Sequence, residues 1–201
     1  MKTALFVDRS TQTQSFALVR EGEVLAERTL DGLDSRSGDW AVEVRDFVAG
    51  AELSEIVVGT GPGSFAGIRA ALAFAQGYAI GAGCEVKGFP SVCALAPDDG
   101  PLAVVGDARR GMLWFALFDG RSLVGGIRQA EAGELARLIP DGVRVVTTDE
   151  PRVGAALAEM FAGRYAGGAV PTAGGLARTA LANPSLLVNE PLPVYLNPAV
   201  R

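Results

Sequence analysis

The hydrophobic positions fall into short runs separated by charged or glycine-bearing breaks. Thr3 to Val7 is one such run, stopped by Asp8, and reads as a buried strand. Ser15 to Val19 and Val24 to Arg28 read as two more strands, joined at the turn signal Glu21-Gly22. From Asp39 to Gly50 the period changes. Ala41, Val44, Phe47 and Val48 recur at helical spacing, with Asp39 as a candidate N-cap. Ile56 to Val58 is a β-branched strand core. A glycine-rich turn over Gly59 to Gly67 follows, then an alanine-rich helix from Ile68 to Ile80 and a strand from Val86 to Phe89.

Pro97-Asp98-Asp99-Gly100-Pro101 is a strong loop signal, and beyond it the pattern starts again. Leu102 to Val105 is an apolar run followed by Asp107. Met112 to Phe118 and Ser122 to Ile127 are strands around the turn Asp119-Gly120. Glu131 to Ile139 reads as a helix, Val143 to Thr147 as a strand and Val153 to Phe161 as a helix. Two halves, 1–97 and 98–201, therefore share one order of three strands, helix, strand, helix. Asp8 precedes Gly22 by 14 residues and Asp107 precedes Gly120 by 13. This is the layout of an α/β duplicated actin-like (RNase H-like) fold, its second half reduced.

Composition narrows the chemistry. The 201 residues are 49 % hydrophobic and 20 % charged, enough to bury a core. A net charge of −5 argues against a free nucleic-acid binder, which needs a basic face. The chain has no histidine. That removes Ser-His-Asp and Cys-His nucleophile pairs, histidine-bearing zinc sites and the commonest general base. The two cysteines, Cys84 and Cys93, are too few for a disulfide framework and read as small core residues. The apolar start stops at Asp8, short for a signal peptide, and the longest apolar stretch, about Ala70 to Gly83, is short for a membrane span. A cytoplasmic protein is the expectation.

The glycine-rich turn, Gly59 through Arg69, admits several readings. A glycine turn opening a helix leaves backbone N–H groups free to cradle an anion, or simply allows close packing. A P-loop needs a lysine after its last glycine, and none is present. Gly61-x-Gly63-x-x-Ala66 fits the loose dinucleotide fingerprint, with Glu85 24 residues beyond Gly61. Pro62 and Phe65 would crowd such a turn. Ser64 is not a nucleophile elbow, because Pro62 and Ala66 occupy its glycine positions, and it reads as a helix N-cap.

Gly61-Pro62-Gly63-Ser64-Phe65-Ala66-Gly67-Ile68-Arg69 resembles the G-P-G-S-F-T-G-[LV]-R signature of the TsaB (YeaZ) family of tRNA threonylcarbamoyladenosine synthesis, with Ala66 in place of Thr. Ala75-Gln76-Gly77-Tyr78-Ala79, Asp107-Ala108-Arg109-Arg110-Gly111, Pro193-Val194-Tyr195-Leu196 and Asp8-Arg9-Ser10-Thr11 resemble further family stretches in the same order. Met112 stands where Glu is usual, Asn197 where Arg is common, and Ser35-Arg36-Ser37-Gly38-Asp39 where a His-Ser-Glu run is frequent.

The resemblance implies a non-catalytic scaffold with no metal, pairing with the related transferase TsaD and joined by the ATPase TsaE. Together they would modify the adenosine beside the tRNA anticodon. It implies tRNA contact only through the complex, no cofactor on the chain alone, and ATP or ADP only within the complex; an exposed apolar helix face, which needs cover, makes self-pairing an alternative. The implied interface is the first two helices of the first half, carrying Val44, Phe47, Ala70, Ala73, Phe74, Gly77 and Tyr78. Asp8, Ser10, Asp107, Arg109 and Arg110 are candidates for a vestigial phosphate site, or ordinary turn and surface residues. The competing functions are an independent ATP-binding phosphotransferase of the actin-like class and a dinucleotide-binding module.

Overall fold

The computed structural model describes residues 2–31, 39–194 and 196. The chain forms two compact units. The first gathers Met1–Ala94 and Pro171–Val194; the second is built on Leu95–Val170.

In the first unit β1 (Thr3–Asp8), β2 (Gln14–Arg20), β3 (Glu23–Leu30), β4 (Glu55–Gly59) and β5 (Glu85–Phe89) form one sheet in the order β3-β2-β1-β4-β5. β1 runs antiparallel to β2 and parallel to β4. All of β1 is buried, which is why its sequence is a continuous apolar run without alternation. The edge strand β3 is exposed almost throughout. Two helices, α1 (Asp39–Phe47) and α2 (Phe65–Ala82), supply the other half of the core. Trp40, Val44 and Val48, one helical turn apart, meet Ile68, Ala71, Leu72 and Ala75 over Leu5, Val7, Ile56 and Val58. Asp39 is the first helical residue of α1 and so lies inside the position expected to cap it.

The second unit repeats the wiring. β6 (Pro101–Arg109), β7 (Met112–Asp119), β8 (Ser122–Glu131), β9 (Arg144–Thr147) and β10 (Tyr165–Gly168) pair in the order β10-β9-β6-β7-β8. α3 (Ala132–Leu138) and α4 (Glu150–Met160) take the places of α1 and α2. Both sheets have five strands, so the reduction lies in the helices: α3 has 7 residues against 9 in α1, and α4 has 11 against 18 in α2. The duplicated actin-like fold is present.

The expected boundary at 97/98 differs from this partition in one segment. α5 (Ala173–Ala182) packs with the first unit, on β1, β2 and β3. Its N-terminal amides are held by groups distant in sequence. Ala173 N donates to Ser15 Oγ (2.8 Å) and Gly174 N to Glu27 Oε1 (2.8 Å), while Gly175 N donates to Thr172 Oγ1 (3.1 Å). These bonds satisfy three of the amides a helix start leaves open. Gly174-Gly175 resembles a loop in sequence. Here a Cβ on Gly174 would fall 2.3 Å from Glu27 Oε2, so close docking explains the glycine. Among the described residues no helix is long and apolar enough to cross a membrane.

Candidate functional site

The glycine turn joins β4 to α2 and packs onto the end of β1. A Cβ on Gly63 would lie 2.1 Å from the backbone oxygen of Ser10, and one on Gly67 2.2 Å from that of Arg9. Gly61 adopts φ +98°, a conformation that glycine tolerates without strain. Ser64 N donates to Ser10 O (2.6 Å), and the Ser64 side chain caps α2 by accepting from Gly67 N (3.2 Å). Ser64 is therefore a cap and not a nucleophile. Two of the amides a phosphate cradle would use, those of Ser64 and Gly67, are thus bonded to protein groups.

The dinucleotide reading fails on geometry. β4 and β5 are parallel, with Glu55 opposite Glu85 and Gly59 opposite Phe89. Glu85 therefore starts β5 at the end away from the turn. Four strand steps separate it from that end, about 13 Å, and the acid cannot reach a ribose held by the turn.

Asp8 and Ser10 are buried, at 0 % and 2 % exposure. Asp8 Oδ1 accepts from Ser10 N (2.9 Å) and Ser10 Oγ (2.6 Å). Burial pushes the Asp8 carboxyl above its ordinary range, and the Ser10 and Ser91 hydroxyls offset part of that shift. A raised folded pKa means that the native state holds the proton more tightly than the unfolded chain does. Asp8 then contributes stability below its unfolded pKa and loses it as pH rises through the folded value. Asp8→Asn, whose carbonyl can keep both Ser10 bonds, is expected to gain stability over the parent increasingly from about pH 4 upward. Unfolding midpoints at pH 4 and pH 7 check this. A loss that grows toward pH 7 would mean that the charged carboxylate is needed.

Arg9 is also buried and places its guanidinium 4.3 Å from the Trp40 ring centre. Burial lowers its pKa to about 10, so it keeps its charge at neutral pH. Burial also pushes the Cys93 thiol up to about 12, in keeping with an inert core cysteine.

The faces of α2 divide cleanly. Ile68, Ala71, Leu72, Ala75 and Ala79 point to the sheet and are buried. Phe65, Arg69, Ala73, Gly77 and Ile80 are exposed, Ile80 at 87 %. The Arg69 guanidinium lies 5.0 Å from the Phe65 ring centre. Between the exposed side of α2 and α1 runs an apolar groove of about 420 Å³, lined by Ala41, Val42 and Arg45 of α1 and Ala73, Phe74, Gly77 and Tyr78 of α2. A Cβ on Gly77 would meet nothing within 4 Å.

Four of the α2 residues expected on this surface line the groove, and Ala70 is half-buried beside them. The α1 expectations need correction. Val44 is fully buried, because it shares the inward stripe of Trp40 and Val48. Phe47 packs edge-on against Phe16 at 4.8 Å. Ala41, Val42 and Arg45 take their place. Val42 lies across the helix from the core stripe in the same period, and Ala41 and Arg45 lie between the two sides.

In the second unit Asp107 lies near the end of β6, half-buried between the buried Gly106 and Ala108. Its Oδ1 accepts from Arg109 N (2.7 Å), and its Oδ2 lies 3.4 Å from both Arg109 Nη1 and Arg152 Nη1. Arg109, Arg110 and Gly111 have φ of +69°, +55° and +79° at the β6–β7 tip. Arg109 and Arg110 are exposed. Among the described residues no cluster of three or more metal-ligating side chains occurs. Val194 N donates to Thr60 O (2.8 Å), which brings the C-terminal signature stretch to the glycine turn. Tyr195 of that stretch, Asn197 beyond it, and residues 35–38 of the Ser35–Asp39 departure lie outside the described residues.

Comparison with known proteins gives concordant matches. The family described as TsaD, tRNA N6-adenosine threonylcarbamoyltransferase, matches residues 48–137. The tRNA threonylcarbamoyladenosine biosynthesis protein TsaB of Bacillus subtilis is 29 % identical over 154 residues, 69 % of this chain and 60 % of that protein. An uncharacterized protein of Mycobacterium tuberculosis (strain H37Rv) is 33 % identical over 62 % of this chain and 64 % of its own length. The matches thus span somewhat under two thirds of these relatives. Among solved structures, YeaZ from Pseudomonas aeruginosa superposes with a TM-score of 0.74 at 24 % identity, covering 98 % of this chain and all of that one. The ethanolamine utilization protein EutJ of Carboxydothermus hydrogenoformans gives 0.52 at 14 % identity over 89 % and 90 % of the two chains.

Proposed function

We propose that the chain is a TsaB (YeaZ)-type, non-catalytic subunit of tRNA threonylcarbamoyladenosine synthesis that works by pairing with a TsaD-type transferase, a reading supported by its likeness to the Bacillus subtilis TsaB and to YeaZ. The observation that carries this reading is the apolar α1–α2 groove, with its exposed small residues Ala73 and Gly77 on a helix whose opposite face already packs on the sheet. Small residues on a helix surface let a second helix approach closely, and an exposed apolar face of this kind marks a contact surface. A chain without histidine has no imidazole base to offer. In this reading a TsaE-type ATPase joins the pair, tRNA and nucleotide meet the chain only within the assembly, and a second copy covers the groove when the transferase is absent.

The phosphotransferase reading takes its motive from Asp8 beside the glycine turn. Against it stand the burial of Asp8 and Ser10 and the Ser64 and Gly67 amides already bonded within the protein. One pair of assays separates the two. The isolated chain, given threonylcarbamoyl-adenylate and tRNA, is expected to form no modified nucleoside by mass spectrometry. Addition of TsaD and TsaE from the same organism is expected to give product. Saturating ATP with magnesium is expected to leave the melting temperature of the chain unmoved, where binding at 100 times Kd would add about 2.7 kcal/mol. Product from the chain alone, or a clear ATP shift, contradicts the scaffold role.

A further inference from the structure

The two units share one wiring, yet the place between the first hairpin and the two helices is treated differently in each. In the first unit it is filled: the Arg9 guanidinium lies on Trp40, and Gly63 and Gly67 press against the backbone of Ser10 and Arg9. In the second unit the corresponding place, between the β6–β7 tip, the start of α3 and α4, is a cavity of about 230 Å³. Its apolar side is made by Met112, Leu157 and Met160, and Ala156 leaves it open along α4. Two of these are methionines, which adapt to a ligand of varied shape. The volume is below the roughly 300–1,000 Å³ of sites for drug-sized molecules, so an occupant must be small.

The mouth carries both signs of charge. Asp107 and Arg152 both line the cavity, with side chains 18 % and 49 % exposed. Arg152 Nη1 lies 3.4 Å from Asp107 Oδ2 and 3.5 Å from Asp149 Oδ2, and Arg109 Nη1 lies 3.4 Å from the same Asp107 oxygen; all three pairs are longer than the 2.7–2.9 Å usual for a charge-assisted bond, so each leaves room for a closer ligand group. The guanidinium has a fork of five N–H donors suited to a carboxylate, and Asp107 Oδ2 can accept from an ammonium. A head group with carboxylate and ammonium on neighbouring atoms complements such a mouth, where a simple anion would face Asp107 and a simple cation would face Arg152.

We propose that this cavity binds a free α-amino acid with an apolar side chain, its carboxylate on Arg152, its ammonium on Asp107 and its side chain against Met112, Leu157 and Met160. The site lies within the second unit and is independent of the pairing role of α1 and α2.

Saturation-transfer NMR on the full chain tests it, with L-methionine, hexanoate, hexylamine and N-acetyl-L-methionine amide as probes. L-Methionine is expected to bind with a Kd on the order of 1 mM. The three analogues, each lacking part of the zwitterion, are expected to bind at least about tenfold more weakly, as is L-methionine to Arg152→Gln. Ala156→Trp, on an exposed helix position, is expected to abolish the signal while the unfolding midpoint stays put. No transfer from L-methionine overturns the proposal, and so does undiminished transfer in Ala156→Trp. Equal binding of hexanoate or hexylamine would make the site a single-charge pocket. Equal binding of the blocked methionine would make it a seat for a partner's side chain. Either result also overturns the assignment.

Discussion

Gly67→Ala is expected to lower the unfolding midpoint by about 4–8 °C, and Gly77→Ala to raise it by about 2–4 °C, although both lie in the same helix. In an exposed helix interior alanine is better than glycine by about 1 kcal/mol, because glycine loses more backbone freedom on folding. At Gly77 nothing opposes that gain, since the added Cβ meets no atom within 4 Å. At Gly67 the same carbon would sit 2.2 Å from the carbonyl oxygen of Arg9, a backbone atom at the end of the fully buried β1. A backbone oxygen cannot swing aside as a side chain can. The turn would have to lift from β1, and overpacking of this kind costs about 3 kcal/mol, outweighing the propensity gain. Thermal unfolding followed by circular dichroism reads both variants. A destabilised Gly77→Ala would mean that this glycine serves the fold of the chain itself. A neutral Gly67→Ala would mean that the signature turn is not held by close backbone packing.

The second large effect concerns pairing. If Gly77 is kept small for a partner, filling it should leave the fold intact and destroy the complex. Gly77→Trp places a large ring over the groove between α1 and α2, where Ala73, Phe74 and Tyr78 would meet the other chain. Closely packed interface centres tolerate such insertions poorly, and the affinity for the transferase is expected to fall at least about 100-fold, roughly 3 kcal/mol. Val42→Asp, on the α1 side and 47 % exposed, should act in the same direction. Val44 and Phe47 would be misleading positions to mutate, because Val44 belongs to the core and Phe47 packs on Phe16.

Much of the fold was legible because its strands are short, buried and sharply punctuated. β1 and β6 are nearly continuous apolar runs ending at an Asp, and each is followed by a hairpin. What stayed hidden lacks those marks. β10 reads Tyr-Ala-Gly-Gly, with no β-branched residue, and is a strand only because β9 offers it a partner. α5 opens on two glycines whose role is to approach Glu27 and Ala94 closely, a contact invisible from local sequence. The candidate surface divided in the same way. α2 is apolar nearly all round, and that alone pointed to two covered faces. In α1 the assignment of Val44 to the outer face failed, because Trp40 was not recognised as the start of the inward stripe. The turn residues were found by their resemblance to a family signature, but their physical work, packing over Asp8 and Ser10, emerges only from the distances.

The central claim is that this chain acts by pairing through the α1–α2 face. Multi-angle light scattering after size exclusion tests it most directly, on the chain alone, on the chain mixed with TsaD from the same organism, and on the same mixture made with Gly77→Trp. The predicted result is a heterodimer mass for the parent mixture and separate components for the variant, with the variant as thermally stable as the parent. Separate components for the parent mixture, with and without TsaE and nucleotide, or a heterodimer that Gly77→Trp leaves intact, would contradict it.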